Sequence, residues 1–424
     1  MAKSHVSWLF GGCLVVIILF CAGPLVAQKK LRLEDFVYEE QIRSVMVHQA
    51  GTATGPLRPA ASPLQQQRLV LEFDDIQESY TSYFFRLQHC TLDWQPSALR
   101  DLDYLTDFNE FPINQYTFSD NTHLPYVHYT AALPAVKLPG NYLLVVYRDG
   151  NREDLILTRR LLVYENRINV VSLTNFAGAG TLQEGRQPLN FIVNYGSLQV
   201  INPPDMIRVV VRQNYRWDNA LFNPQATFVR DNAREIEYRF FDFDNSFPAG
   251  NEFRFVDFRS LIAPGQHVQR INRTIKPYEV YVMPDGSREG QAYAQYRDLN
   301  GQFIVDNRDF PEPTISSNYV FLNFFLKSPQ LPDPIFVVGQ FNQYTRTKEN
   351  EMVYSRTSGG YEASILLKQG LYNYQYVTGG TNPNRLEGDR FETENSYDVL
   401  VYYRSIKPFS DLLLGYATWS MNTR

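Results

Sequence analysis

Four clusters in this 424-residue chain carry residue types that could do chemistry. His123 and His128 could ligate a metal, but a five-residue gap puts them on opposite faces of a strand, with no third ligand at zinc spacing. Surface or loop positions are expected for both. His89, Cys90 and Asp93 could form a thiol nucleophile with a base. Neighbouring strand residues face opposite ways, so His89 is not expected to reach Cys90, and Cys90 reads as a buried structural residue. Asp74-Asp75 and Asp242-Phe243-Asp244 offer paired carboxylates or calcium ligands, yet neither lies in a twelve-residue calcium loop with its glycine and terminal glutamate. Solvated strand ends are expected there. Phosphate loop, zinc-protease helix and serine elbow motifs are all missing from the sequence. The residues thus predict no catalytic, cofactor-binding or metal site, and no enzyme.

The elements around these clusters read as strands. Aromatic content of 14%, mostly Tyr and Phe, suits half-buried pleated surfaces. Residues 69–73 and 83–89 alternate, whereas 142–147 are apolar on both faces and predict a central strand. Asp149-Gly150 supplies a hairpin turn into a return strand over 155–164, with Arg159-Arg160 at a bulge or edge. The proline-punctuated stretch 92–133 reads as a long connection with a short helix near 97–105. Further strands are predicted at 189–195, 206–212, 235–241, 252–257, 268–272 and 319–326, parted by turn signals such as Pro284-Asp285-Gly286. Three prolines between Pro329 and Pro334 favour an extended linker. The prediction is an all-β chain of three β-sandwiches in series, of the immunoglobulin-like or early-set kind, at 31–166, 167–328 and 329–424.

Export is expected. A short basic start (Lys3, His5), an apolar run over 6–26 and the small residue Ala27 predict a signal peptide over 1–27, cleaved after Ala27. Its loss removes Cys13 and Cys21 and leaves Cys90 alone, so no internal disulfide can form. Lys3 is the only charged residue lost, which turns the net charge of −5 into 39 basic against 45 acidic residues. That mild acidity disfavours nucleic acid or anionic lipid as a partner.

The segments Val337-Val338-Gly339-Gln340-Phe341-Asn342-Gln343-Tyr344 and Tyr372-Asn373-Tyr374-Gln375-Tyr376 resemble the early-set module of starch- and glycogen-binding domains. Those relatives stack sugars on tryptophans. Here Tyr344 stands at the corner and no Trp follows the 372–377 strand, so the resemblance implies the fold without the sugar platform.

A second resemblance runs from about Tyr38 to Gly415. Leu69-Val70-Leu71-Glu72-Phe73-Asp74-Asp75, the aromatic strand ending His89-Cys90-Thr91-Leu92-Asp93-Trp94, Gly140-Asn141-Tyr142, and Glu387-Gly388-Asp389-Arg390-Phe391 occur in order as in the plug protein family of the type IX secretion system. Pro408-Phe409-Ser410-Asp411 departs from that pattern. The resemblance implies a non-enzymatic periplasmic protein without cofactor or small-molecule substrate. It would be peripheral to the outer membrane, and would cap the periplasmic mouth of the translocon barrel when cargo is absent. Its membrane association would run through that barrel alone. Two rivals are an outer-membrane barrel, against which the doubly apolar strands speak, and a periplasmic or surface carbohydrate-binding protein.

Overall fold

The computed structural model describes residues 29–51, 55–173, 185–196, 198–239 and 245–423. The expected signal peptide and the Asp242-Phe243-Asp244 run lie outside the described residues. Apart from short helical turns such as Asp101–Tyr104, the elements are strands, as the aromatic, alternating sequence dictates.

The first sandwich packs two sheets. One orders Phe36–Val37, Leu155–Tyr164, Gly140–Arg148, Tyr83–Cys90 and Phe111–Pro112, with Ala61–Pro63 parallel to Leu155–Tyr164. The other orders Ile42–Gln49, Leu69–Asp75, Val127–Ala132 and Gln115–Phe118. Alternation sends Leu71, Phe73, Tyr83, Phe85, Leu87, Leu144 and Val146 into one core. The doubly apolar Gly140–Arg148 is indeed central, with Leu155–Tyr164 on one side and Tyr83–Cys90 on the other. Its second face, Leu143 and Val145, packs with Val210, Leu400, Tyr402 and Leu413 from the next sandwich. Asp149 (φ 50°) and Gly150 (φ 70°) make the hairpin turn in the left-handed region. The bulge falls between Leu155 and Leu157, and Arg159 and Arg160 lie where the strand pairs on one side only, between its contacts with Phe36–Val37 and Ala61–Pro63, beneath residues 33–36. Carbonyls from that N-terminal segment, rather than solvent, receive their guanidinium groups.

The second sandwich sets Asn169–Ser172, Phe191–Asn194, Glu235–Tyr238 and Phe228–Arg230 against Leu221–Phe222, Ile207–Gln213, Asn395–Ile406 and Phe409–Met421. Phe191, Val193, Val209, Val399 and Leu414 share its core. Two of its strands therefore come from the chain's last thirty-odd residues, and the third group of strands, from Arg254–Asp257 to Gly370–Thr378, is inserted into it.

This corrects the expected boundaries. Tyr319–Lys327 pairs along its length with Gly360–Lys368, so the 329–334 prolines sit inside one sandwich rather than between two. Their segment is tied down by Leu331 N–H to the Tyr361 hydroxyl (2.7 Å) and Gly379 N–H to the Pro334 carbonyl (2.8 Å). Proline there suits an ordered connection whose amides have no ladder to join. The strands predicted at 252–257, 268–272 and 319–326 belong with this inserted group, and its core joins Val256, Leu322, Val337, Met352, Ile365 and Tyr374. Asp285–Gly286, read as a turn, pairs in parallel with Leu326 and Lys327.

Candidate functional site: the junctions between sandwiches

The structure separates the residues that the thiol hypothesis would join. Cys90 is fully buried in the apolar junction between first and second sandwiches, and burial pushes its thiol up to about 12, far from a thiolate at neutral pH. His89 points the other way, edge-on to Tyr142 with ring centroids 5.1 Å apart. Asp93 is exposed and accepts from the Thr91 hydroxyl at 2.6 Å. His123 sits in a loop beside Tyr278, away from His128 in Val127–Ala132. Among the described residues no three His, Cys, Asp or Glu side chains converge as a metal site would need.

His89 has a thermodynamic role instead. It is 2% exposed, neither ring nitrogen finds a partner, and a Cβ at Gly140 would run into its ring. Burial pushes the imidazole down to about 4, so the unfolded chain takes up the proton first as pH falls. Stability should drop between about pH 6.5 and 4, by as much as about 3 kcal/mol. Urea unfolding of His89→Gln across this window should show a flatter pH slope. An unchanged slope would assign the acid sensitivity to other groups.

Asp74 and His128 contradict the expectation of solvated positions. Asp74 is fully buried, and its carboxylate accepts from Lys368 Nζ (2.6 Å), the Tyr319 hydroxyl (2.6 Å) and His128 Nδ1 (2.7 Å). Lys368 and Tyr319 belong to the inserted sandwich, so this cluster bolts it to the first. Lys368 also donates to the Thr314 carbonyl and lies 4.2 Å from the Tyr126 ring centroid. Burial alone would raise the Asp74 carboxyl, but Lys368 and His128 hold it below the usual carboxylate range. Burial pulls the Lys368 ammonium down while Asp74 opposes. With three donors around one carboxylate, we read the pair as ionic. Asp75, also buried, accepts from the Tyr83 hydroxyl at 2.7 Å.

The second junction is aromatic and cationic. Trp94 of the first sandwich meets Trp217 of the second edge-on at 4.9 Å, Arg160 lies over Trp94 at 4.7 Å, and Arg212 over Trp217 at 4.1 Å. Arg212 gives Nε to buried Asp398 at 3.0 Å. Nearby, the Tyr402 hydroxyl donates to Asn141 Oδ1 at 2.7 Å, and Leu92 N–H donates to Asp411 at 3.1 Å.

The third junction consumes the sugar-binding corner. Tyr344 is 6% exposed, with the Arg216 guanidinium 3.9 Å from its ring centroid. Tyr372, Tyr374 and Tyr376 are all buried in or beside the inserted core, and the hydroxyls of Tyr374 and Tyr376 both donate to Asp285. Neither the corner tyrosine nor the tyrosine strand is a free stacking shelf.

What remains outside is an edge. Gln115–Phe118, last in its sheet, is exposed throughout, and Tyr80, Tyr116 and Phe118 cluster on it with Tyr80 and Tyr116 centroids 4.5 Å apart. An uncovered strand edge flanked by aromatics is suited to docking another chain. Sequence reasoning missed this edge and every junction cluster. Asp74, His128, Arg160, Trp94 and Tyr344 were singled out beforehand, but for other roles or as part of a family-like corner, and none as a junction residue.

Residues 42–165, the first sandwich, match the family model described as type 9 secretion system plug protein 1st domain. No curated protein matches the chain. The crystal structure of a hypothetical protein from Parabacteroides merdae is similar with a TM-score of 0.85 at 27% identity, covering 92% of this chain and 100% of that one. A structure described as manganese lipoxygenase of Gaeumannomyces graminis with part of a Komagataella pastoris zonadhesin reaches a TM-score of only 0.14 at 7% identity, over 90% of this chain and 93% of that one, and carries no argument.

Proposed function

From a chain whose residues 42–165 match the model for the first domain of the type IX secretion plug protein, we propose a periplasmic plug that closes the inner mouth of the outer-membrane translocon when cargo is absent. A role in type IX secretion follows from that domain; sealing the barrel is the finer reading. The first-domain match carries it. Support comes from a body whose parts are joined by a buried Lys368–Asp74 ion pair and by the edge-on Trp94 and Trp217 rings, which suits blocking a wide pore without chemistry. The apolar faces of the strands turn into internal cores, which favours a peripheral body over a barrel with a lipid-facing surface. No helix among the described residues is long and apolar enough to cross a membrane. Buried Tyr344, Tyr372, Tyr374 and Tyr376 give the carbohydrate alternative no support.

Deleting the gene should sensitise cells to large antibiotics that the outer membrane normally excludes. The effect should be largest in strains also lacking the partner that carries cargo off the translocon. Secretion should persist at least in part. Loss of all secretion with unchanged permeability would instead make the protein an assembly or cargo-delivery component.

A further inference from the structure

Gln115–Phe118 closes one sheet of the first sandwich, with Val127–Ala132 on one side and no strand on the other. Its register runs without a shift from Gln115 opposite Thr130 to Phe118 opposite Val127, and just beyond it the Ser119 N–H donates to the Tyr126 carbonyl at 2.8 Å. In an antiparallel pair such bonds recur at every second residue. Gln115 and Thr117 therefore bond inward, and the N–H and C=O groups of Tyr116 and Phe118 face outward along the open edge. Natural sheets guard an edge of this kind with lysine, proline or a bulge. Gln115–Phe118 contains none of the three.

The side chains beside that backbone are apolar. Tyr116 and Phe118 lie opposite the core residues Tyr129 and Val127, so they share the core face, yet they are 43% and 50% exposed. Tyr80 packs on Tyr116 and is itself 42% exposed, and Phe118 meets Tyr116 edge-on at 5.8 Å. The three rings extend the core sideways to a margin open to solvent. A further strand on Tyr116 and Phe118 would satisfy the outward backbone groups and lay every second side chain over these rings.

Charge selects the occupant. From Asp101 to Val136 the chain has five acidic residues and no lysine or arginine. Asp103 pairs with Arg100 and Glu110 with Arg152. Glu78 stands two residues before Tyr80, Asp120 two after Phe118, and Glu312 in the turn whose Ile315 carbonyl accepts the Asp120 N–H. All three are exposed and pair with no cation among the described residues. Of the cations nearby, Arg308 pairs with Asp257 and Lys276 stands near His123. A second copy of this chain, added edge to edge, would set the same acids against themselves.

We propose that Gln115–Phe118 is a strand-addition site for an extended basic segment of another protein. Apolar residues of that segment alternate over Tyr80, Tyr116 and Phe118, and lysine or arginine at its ends meets Glu78, Asp120 and Glu312. Backbone pairing supplies affinity, while the aromatic margin and the acidic ends select the sequence. The inference stands independently of the plug reading, which names no contact face.

The probe is a dye-labelled peptide that alternates valine and threonine between paired terminal lysines, with a glutamate-ended twin and a proline-interrupted twin as controls. Titrated into the purified full chain, the lysine peptide should bind saturably and at least tenfold tighter than either control, with affinity falling as salt rises. Hydrogen exchange should slow over residues 115–118 on binding, because the outward amides gain acceptors. Phe118→Lys and Tyr116→Ala alter exposed side chains, so both variants should fold; the first should weaken binding at least tenfold and the second severalfold. Asp120→Lys should weaken it severalfold and flatten the salt dependence. Val353→Lys, at an exposed apolar residue of the inserted sandwich, should bind as the parent does. The site does not exist if the lysine peptide fails to saturate, if the glutamate twin binds equally, or if Phe118→Lys and Tyr116→Ala both bind as the parent. A dimer of the chain that Phe118→Lys dissociates would also overturn the proposal, since the edge would then belong to a second copy.

Discussion

Lys368→Met should destabilise the protein by about 3–5 kcal/mol, because it leaves the Asp74 carboxylate buried without its cation. The magnitude follows from the surroundings. Asp74 is fully buried and Lys368 is 2% exposed, so water cannot replace the missing partner. His128 and the Tyr319 hydroxyl would still contact the carboxylate, which keeps the loss below that of an isolated charge. The double variant Lys368→Met with Asp74→Asn should recover much of the loss, since replacing both charges removes the desolvation cost with the attraction. The folded Asp74 carboxyl lies below its ordinary range, so its contribution is present above the unfolded carboxyl pKa and disappears as pH falls through the lower folded value. Urea unfolding followed by near-ultraviolet circular dichroism would report these changes. If the single variant unfolds at the parent's midpoint, the cluster does not bolt the first sandwich to the inserted one.

Trp94→Ala should cost a comparable amount, about 3–5 kcal/mol, at the other junction. Trp94 is 1% exposed and fills the space between Cys90, Leu92 and the Trp217 ring, with the Arg160 guanidinium over its face. Truncation empties that space and removes the edge-on ring contact together with the cation's seat. The loss should concentrate on the joint between first and second sandwiches. Protease sensitivity should therefore appear in the crossing segment around residues 165–168, while the Asn141 to Tyr402 hydrogen bond still holds the far side. Tryptophan emission should also shift as Trp217 loses its neighbour. Parent-like stability and protease resistance in Trp94→Ala would show that the strand faces alone, Leu143 and Val145 against Val210 and Leu400, carry the joint.

Local pattern and global wiring parted ways in this chain for a physical reason. Alternation is a property of neighbouring residues, so the burial of Leu71 and Phe73 beside half-exposed Val70 and Glu72 could be read directly from their order. The apolar run at 142–147 likewise announced a strand covered on both faces, and Asp149-Gly150 announced its turn. The same logic separated His89 from Cys90. Strand partners across the chain leave no such mark. Ile207–Gln213 takes Asn395–Ile406 as its neighbour, with Ile207 opposite Tyr403 and Gln213 opposite Tyr397, and nothing local tells a strand which distant edge it will meet. The prolines at 329–334 restrict the backbone in the same way within a sandwich as between two, so their composition could not place the boundary. The anchors of the site were hidden for the same cause: Asp74 and Lys368 lie 294 residues apart, and Arg212 and Asp398 lie 186 apart. A carboxylate's solvation depends on what folds over it. The residues set the strands and their faces, and tertiary packing decided which charges would be buried and which sandwich would close around the chain's end.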